Sequence, residues 1–132
     1  MLFRSDLDGL KKINDRFGHL VGSAAIKRVA NVLQGRSRAI DTAARYGGDE
    51  FALVLPESTE EDAQQAAQRI CEALAQDGQA PLLSVSVGLS VYPKDGTSIE
   101  KLLAAADSAL YGMKNRGPKQ KKFRFTHVAA CL

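Results

Sequence analysis

The chain has 132 residues, 45% hydrophobic and 25% charged, with a formal net charge of +3. That length describes one domain with a buried core, and the composition excludes a disordered, collagenous or coiled-coil chain. Six of the 18 basic residues lie between Lys114 and Arg124 and no acid follows Asp107, so an acidic body carries a basic tail, unlike a DNA- or RNA-binding domain.

Met1 to Leu7 reads as a strand that runs into an acidic corner, Asp6-Leu7-Asp8. Gly9 to Phe17 forms a short helical segment leading to turn signals at Gly18 and Gly22. A helix is predicted over Ala24 to Gln34, with Ile26, Val29, Ala30 and Leu33 at helical spacing and Gly35 ending it. Ala43 to Leu55 reads as a hairpin: Ala44-Arg45-Tyr46, a Gly47-Gly48 turn, then Phe51 to Leu55, with Pro56 closing the strand. Ser58 and Glu61 form a capping box for a helix with Ala63, Ala66, Ala67, Ile70 and Leu74 on one face. Gly78 and Pro81 end that helix. Leu83, Val85, Val87, Leu89 and Val91 then alternate with Ser84, Ser86, Gly88 and Ser90, a strand whose small second face invites close approach by another element. Thr97 and Glu100 form a second capping box, before a helix carrying Leu102, Leu103, Ala106, Leu110 and Met113. A basic tail over 117–132 includes a last strand over Phe123 to Val128. The order β-α-α-β-β-α-β-α, with a final β, predicts an α/β sandwich forming a single domain over 1–132.

The longest nearly apolar stretch, Leu82 to Tyr92, is too short to span a bilayer, and no export signal precedes the first strand. Cys71 and Cys131 are too far apart in sequence to indicate a disulfide framework or a metal site. A cytoplasmic setting without membrane contact is the expectation. Cys71, beside Ile70, belongs at the edge of the core. His19 and His127 are isolated.

The hairpin carries the strongest chemistry. Two glycines permit a tight turn and close approach of a ligand, and Asp49 and Glu50 follow at once. Asp6 and Asp8 stand at the end of another strand. If the two strands are neighbours, the acids converge, and hard oxygen donors at strand ends suit Mg²⁺ completed by substrate phosphates. A bare Gly-Gly-Asp-Glu is equally an exposed polar turn. Asp6-Leu7-Asp8-Gly9 also begins like a haloacid-dehalogenase phosphatase motif, but Leu10 stands where threonine belongs. As a calcium loop it fails, because Phe17 occupies the twelfth position.

Arg45-Tyr46-Gly47-Gly48-Asp49-Glu50-Phe51 reproduces the signature of the GGDEF domains, the diguanylate cyclases. Asp6-Leu7-Asp8-Gly9-Leu10-Lys11-Lys12-Ile13-Asn14-Asp15 resembles their D-x-D-x-F-K-x-I-N-D segment. Phe17-Gly18-His19 and Gly22 continue it, and Ala109-Leu110-Tyr111-Gly112-Met113-Lys114 resembles a late A-x-Y-x-A-K helix. The resemblance implies a fold like class III nucleotidyl cyclases and polymerase palms, a central mixed sheet flanked by helices. It implies condensation of two GTP into cyclic di-GMP and pyrophosphate, at the interface of a homodimer that usually answers to a sensory domain. By position, Asp6, the Leu7 carbonyl, Asp49 and Glu50 would hold two Mg²⁺, or Mn²⁺ in their place, with Asp6, Asp49 and Glu50 as the catalytic set. Gly9, Leu10, Lys11 and Lys114 would hold phosphates, with Gly47 and Gly48 beside them. Asn14 and Ser23 would face guanine. Arg38-Ala39-Ile40-Asp41, with five residues between Asp41 and Gly47, matches the R-x-x-D site where product inhibits.

Four departures accompany the resemblance. Ser23 stands where an aspartate usually accepts two guanine N–H groups, and a hydroxyl offers less. Pro118 replaces a phosphate-binding arginine, with Lys119 next to it. Gly9 and Leu10 replace bulky aromatics. An N-terminal helix with a D-x-L-T-G-L-x-N-R segment is missing, as expected either of an excised fragment or of a naturally shortened domain. The rival functions are an inactive module that binds cyclic di-GMP and acts through protein contacts, and a protein-interaction domain that binds no nucleotide.

Overall fold

A computed structural model describes residues 1–114 and 128–130. The elements run β1 (Leu2–Leu7), α1 (Leu10–Phe17), α2 (His19–Arg36), β2 (Thr42–Arg45), β3 (Glu50–Val54), α3 (Glu60–Ala75), β4 (Val85–Ser90), α4 (Ile99–Lys114) and β5 (Val128–Ala130). They form one five-stranded sheet in the order β2-β3-β1-β4-β5. Helices flank a central sheet as expected, but the expected mixed pairing is corrected: every strand pair among the described residues is antiparallel. Of the tail, only Val128–Ala130 is described, as the strand beside β4; Phe123 to His127, Pro118 and Lys119 lie outside the described residues.

Period-two alternation assigns the two sheet faces. Phe3, Leu7, Phe51, Leu53, Val85, Val87 and Leu89 join Val29 and Leu33 of α2 and Ala67, Ile70 and Leu74 of α3 in the main core. The opposite face of β1 carries Leu2, Arg4 and Asp6, and α4 packs there against β1 and β4. The small face of β4 is what admits α4. A Cβ on Gly88 would fall 2.1 Å from the Ala106 carbonyl oxygen, and Ser90 Oγ donates to the Leu102 carbonyl at 2.8 Å.

Three local readings are corrected. Helix α2 starts at His19 and runs through Gly22, because that glycine meets a packing need rather than a turn. The cap of α3 is Thr59 with Asp62, not Ser58 with Glu61. Ser58 is engaged elsewhere, accepting from Arg38 Nη2 at 2.6 Å and donating to the Pro56 carbonyl at 3.1 Å. At α4 the Lys101 N–H reaches Ser98 Oγ at 3.3 Å, so the cap lies one residue beyond Thr97. Cys71 packs on the edge of the core as expected, and it is disulfide-bonded, which its spacing in the sequence did not indicate; Cys131 lies outside the described residues.

Candidate active site

Antiparallel pairing of β1 with β3 sets Asp6 directly opposite Glu50, and the Leu7 N–H donates to the Asp49 carbonyl at 2.9 Å. The two acidic strand ends are therefore neighbours. Asp6 is buried, while Asp49 and Glu50 are half-buried. Asp8 does not join them. It turns to β4, accepting from Ser84 Oγ at 2.9 Å and Ser86 Oγ at 2.6 Å.

The Gly-Gly turn is closed by backbone bonds from the Tyr46 and Gly47 N–H groups to the Glu50 carbonyl, at 2.8 and 3.3 Å. Arg45 wraps it from outside, donating to the carbonyls of Gly47 at 3.1 Å and Gly48 at 2.8 Å. Inside, Arg4 Nη2 lies 2.6 Å from Glu50 Oε2, and Arg4 Nη1 pairs with Asp107 of α4. The same guanidinium sits 4.8 Å from the centre of the Tyr46 ring. Neither Arg4 nor Asp107 was among the expected site residues. An arginine two positions before Asp6 in an apolar strand was the available signal, since alternation puts both on one face.

Gly9 caps α1 without any side-chain hydrogen bond, and no acid occupies the first turn. The first N–H groups of α1, from Leu10 onward, are thus free of side-chain caps, an arrangement that favours an anion. Lys11 is exposed nearby. Asn14 packs against Gly22 of α2, and Ser23 follows in an exposed position. Lys114 is the last residue of α4.

Arg38 and Asp41 are paired with each other. Arg38 Nη2 and Nε reach Asp41 Oδ1 at 2.9 and 3.1 Å, and Nη2 also donates to the Pro56 carbonyl at 2.9 Å. Burial disfavours charge on Asp41, but hydrogen bonds from the Arg38 side chain and backbone, with its positive charge, hold the carboxyl below its usual range. The pair lines a cleft of about 600 Å³ between α2 and β2, together with Lys27, Ala30, Arg45 and Phe51.

A hard divalent cation fits Asp6 and Glu50. Mg²⁺ takes one or two carboxylates and completes its shell with substrate oxygens and water, and Asp49 adjoins on the turn. Glu50 is at present turned onto Arg4, and among the described residues no three acidic, histidine or cysteine side chains converge as a metal cluster. No helix among the described residues is long and apolar enough to cross a membrane.

A family model for the diguanylate cyclase GGDEF domain matches residues 1–120. The chain is 37% identical over 116 residues to the bifunctional diguanylate cyclase/cyclic di-GMP phosphodiesterase MucR of Pseudomonas aeruginosa, covering 85% of this chain and 17% of that protein. The structure is similar to the GGDEF domain of YfiN from the same organism, with a TM-score of 0.81, 34% identity, and coverage of 88% of this chain and 76% of that one. It also resembles the GGDEF domain of DgcB from Caulobacter crescentus, solved with cyclic di-GMP, at TM-score 0.78, 29% identity, and coverage of 88% and 72%. The chain spans less than a third of the length of the curated relatives it matches first.

Proposed function

Because the chain belongs to the GGDEF family of diguanylate cyclase domains and shares their nucleotidyl-cyclase fold, we propose that it condenses two GTP molecules into cyclic di-GMP. In each of two equivalent steps, the ribose 3′-oxygen of one GTP attacks the α-phosphorus of the other. A phosphodiester P–O bond forms, and the bond to the oxygen bridging the α- and β-phosphates breaks. Pyrophosphate leaves with that electron pair, and the 3′-hydroxyl proton passes to Glu50 or to water beside it.

The observation that carries this reading is the register that sets Asp6 beside Glu50 at the Gly-Gly turn. Asp6, Asp49, Glu50 and the Leu7 carbonyl are the donors for Mg²⁺ or Mn²⁺, which would neutralise phosphate charge and acidify the attacking hydroxyl. The N–H groups of Gly9 and Leu10 and the ammonium groups of Lys11 and Lys114 bind phosphates, while Gly47 and Gly48 let the substrate approach the backbone. Asn14 and Ser23 face guanine. One chain binds one GTP, so the reaction needs a second copy in a twofold dimer to supply proximity. The natural setting is a larger bacterial protein whose sensory part governs dimer formation, in the cytoplasm where GTP is found.

Incubation with GTP and Mg²⁺, read by chromatography, tests the proposal. Cyclic product that disappears in Asp49→Ala is expected; no product from the full parent protein overturns it.

The Arg38–Asp41 wall of the cleft favours a second reading, a module that binds cyclic di-GMP and signals through protein contacts. An arginine fork and an acceptor carboxylate match phosphate and guanine N–H groups respectively. Binding of cyclic di-GMP lost in Arg38→Ala and kept in Asp49→Ala places product in the cleft; the reverse pattern places it in the active half-site.

A further inference from the structure

Arg4 lies in the middle strand of the sheet, paired on either side with Ala52 and Gly88. Both neighbours are small, and α4 packs over this face of the sheet. The Arg4 side chain is only 6% exposed. A buried cation needs compensation, and Arg4 takes it from two directions: Glu50 at the start of β3, and Asp107 on α4. Its Nε donor finds no acceptor among the described residues, so these contacts do not use the full hydrogen-bonding capacity of the guanidinium. Asp6 stands two residues further along the same face, opposite Glu50. Like charges directly opposite across a strand pair repel, and Arg4 provides positive charge beside them. Tyr46 lies over the guanidinium from the turn itself, and the Glu50 carboxylate occupies the space that a Cβ on Gly47 would crowd, 2.9 Å from Oε2.

We infer that Arg4 is a positioning residue that serves as an internal counter-ion to the Asp6–Glu50 pair, so that a divalent cation enters by displacing Arg4 from Glu50. This rests on the reading that Asp6 and Glu50 face such a cation. No bond is made or broken: one charge-assisted contact at the Glu50 carboxylate replaces another. Cation binding works against the Arg4 contact, and Asp107 helps set the balance by retaining Arg4 when Glu50 leaves it. Through Asp107 the same exchange reaches α4, the helix that ends at Lys114.

Mn²⁺ binding to the intact chain, followed by electron paramagnetic resonance of the free ion, tests the exchange without reference to turnover. Arg4→Met keeps much of the side chain and removes the competitor, so Mn²⁺ should bind at least threefold tighter. Arg4→Lys keeps the charge but cannot span two carboxylates, and should shift the affinity at least twofold in the same direction. Asp107→Asn removes the α4 carboxylate from Arg4 and should weaken Mn²⁺ binding at least twofold; its half-exposed site on α4 keeps the test open if Arg4→Met does not fold. A merely structural arginine would change the unfolding midpoint and leave these affinities alone. Unchanged affinity in folded Arg4→Met, or a wild-type value in Arg4→Lys beside a shifted Arg4→Met, overturns the inference. If Asp6→Asn abolishes Mn²⁺ binding while the Arg4 and Asp107 variants leave it unchanged, only the role of Arg4 falls. If Asp6→Asn and Glu50→Gln also leave it unchanged, the cation site and the exchange fall together.

Discussion

Gly22 approaches Asn14 so closely that a methyl group on it would fall 1.7 Å from Asn14 Oδ1 and 2.9 Å from its Cγ. The first turns of α2 thus serve as a backstop for a carboxamide carried by α1. Replacing glycine by alanine inside a helix ordinarily gains about 1 kcal/mol, but here the methyl must displace the side chain proposed to read guanine. Gly22→Ala is therefore expected to retain most of its stability and raise KM for GTP by about tenfold, the equivalent of one hydrogen bond. Parallel measurement of urea unfolding and GTP kinetics checks this, and an unchanged KM would remove Asn14 from the guanine pocket.

Ser23 is exposed immediately after Gly22. A hydroxyl can accept from one guanine N–H, whereas a carboxylate accepts from two and makes charge-assisted bonds. Ser23→Asp should lower KM for GTP about tenfold and widen the preference for GTP over ATP. Competition between the two nucleotides measures it; equal gains for both would assign the effect to charge alone.

Gly88 bears on the packing of α4. Its absent Cβ would lie 2.1 Å from the Ala106 carbonyl oxygen and 2.9 Å from the Leu110 nitrogen, both backbone atoms that cannot rotate away. Gly88→Ala must push α4 off the sheet, with an expected loss of about 3 kcal/mol, at the upper end for overpacking. Urea unfolding measures this, and a loss near zero would show that α4 is free to shift.

Arg28 of α2 fastens the segment between α3 and β4. It reaches both oxygens of Asp77 at 2.8 Å and the Pro81 carbonyl at 2.7 Å. Burial disfavours the Asp77 charge, but the Gln79 N–H and Arg28 outweigh it and lower its pKa. A lowered carboxyl pKa adds stability that is complete above the unfolded value and fades as pH falls through the folded one. Arg28→Ala should cost about 2 kcal/mol at pH 7. The stability gap between wild type and Asp77→Asn should shrink as pH falls below about 4. Unfolding curves across that range test both statements, and a gap independent of pH would refute the linkage.

Local periodicity made much of this protein legible. Alternation along Leu83 to Val91 identified a strand with one small face, and α4 occupies that face through Gly88 and Ser90. The Gly47-Gly48 turn lies between two strands as its residues indicated, though β2 begins at Thr42 and stops before Tyr46, and β3 begins at Glu50 and stops before Leu55. Caps were harder, because adjacent hydroxyls compete: Ser58 answers Arg38 and leaves Thr59 to cap α3. The acids divided in a way that spacing did not reveal, Asp6 standing opposite Glu50 and Asp8 accepting from Ser84 and Ser86.

The amino-acid sequence by itself determined the strand and helix order, the acidic turn and the R-x-x-D pair, because each depends on contacts between residues a few positions apart. Only the tertiary structure decided that Arg4 meets both Glu50 and Asp107, and that Asn14 rests on Gly22. Those contacts depend on strand register and helix placement, which are properties of the packed sheet. A side chain's alternation places it on a face; the partners it finds there are brought by distant segments of the chain.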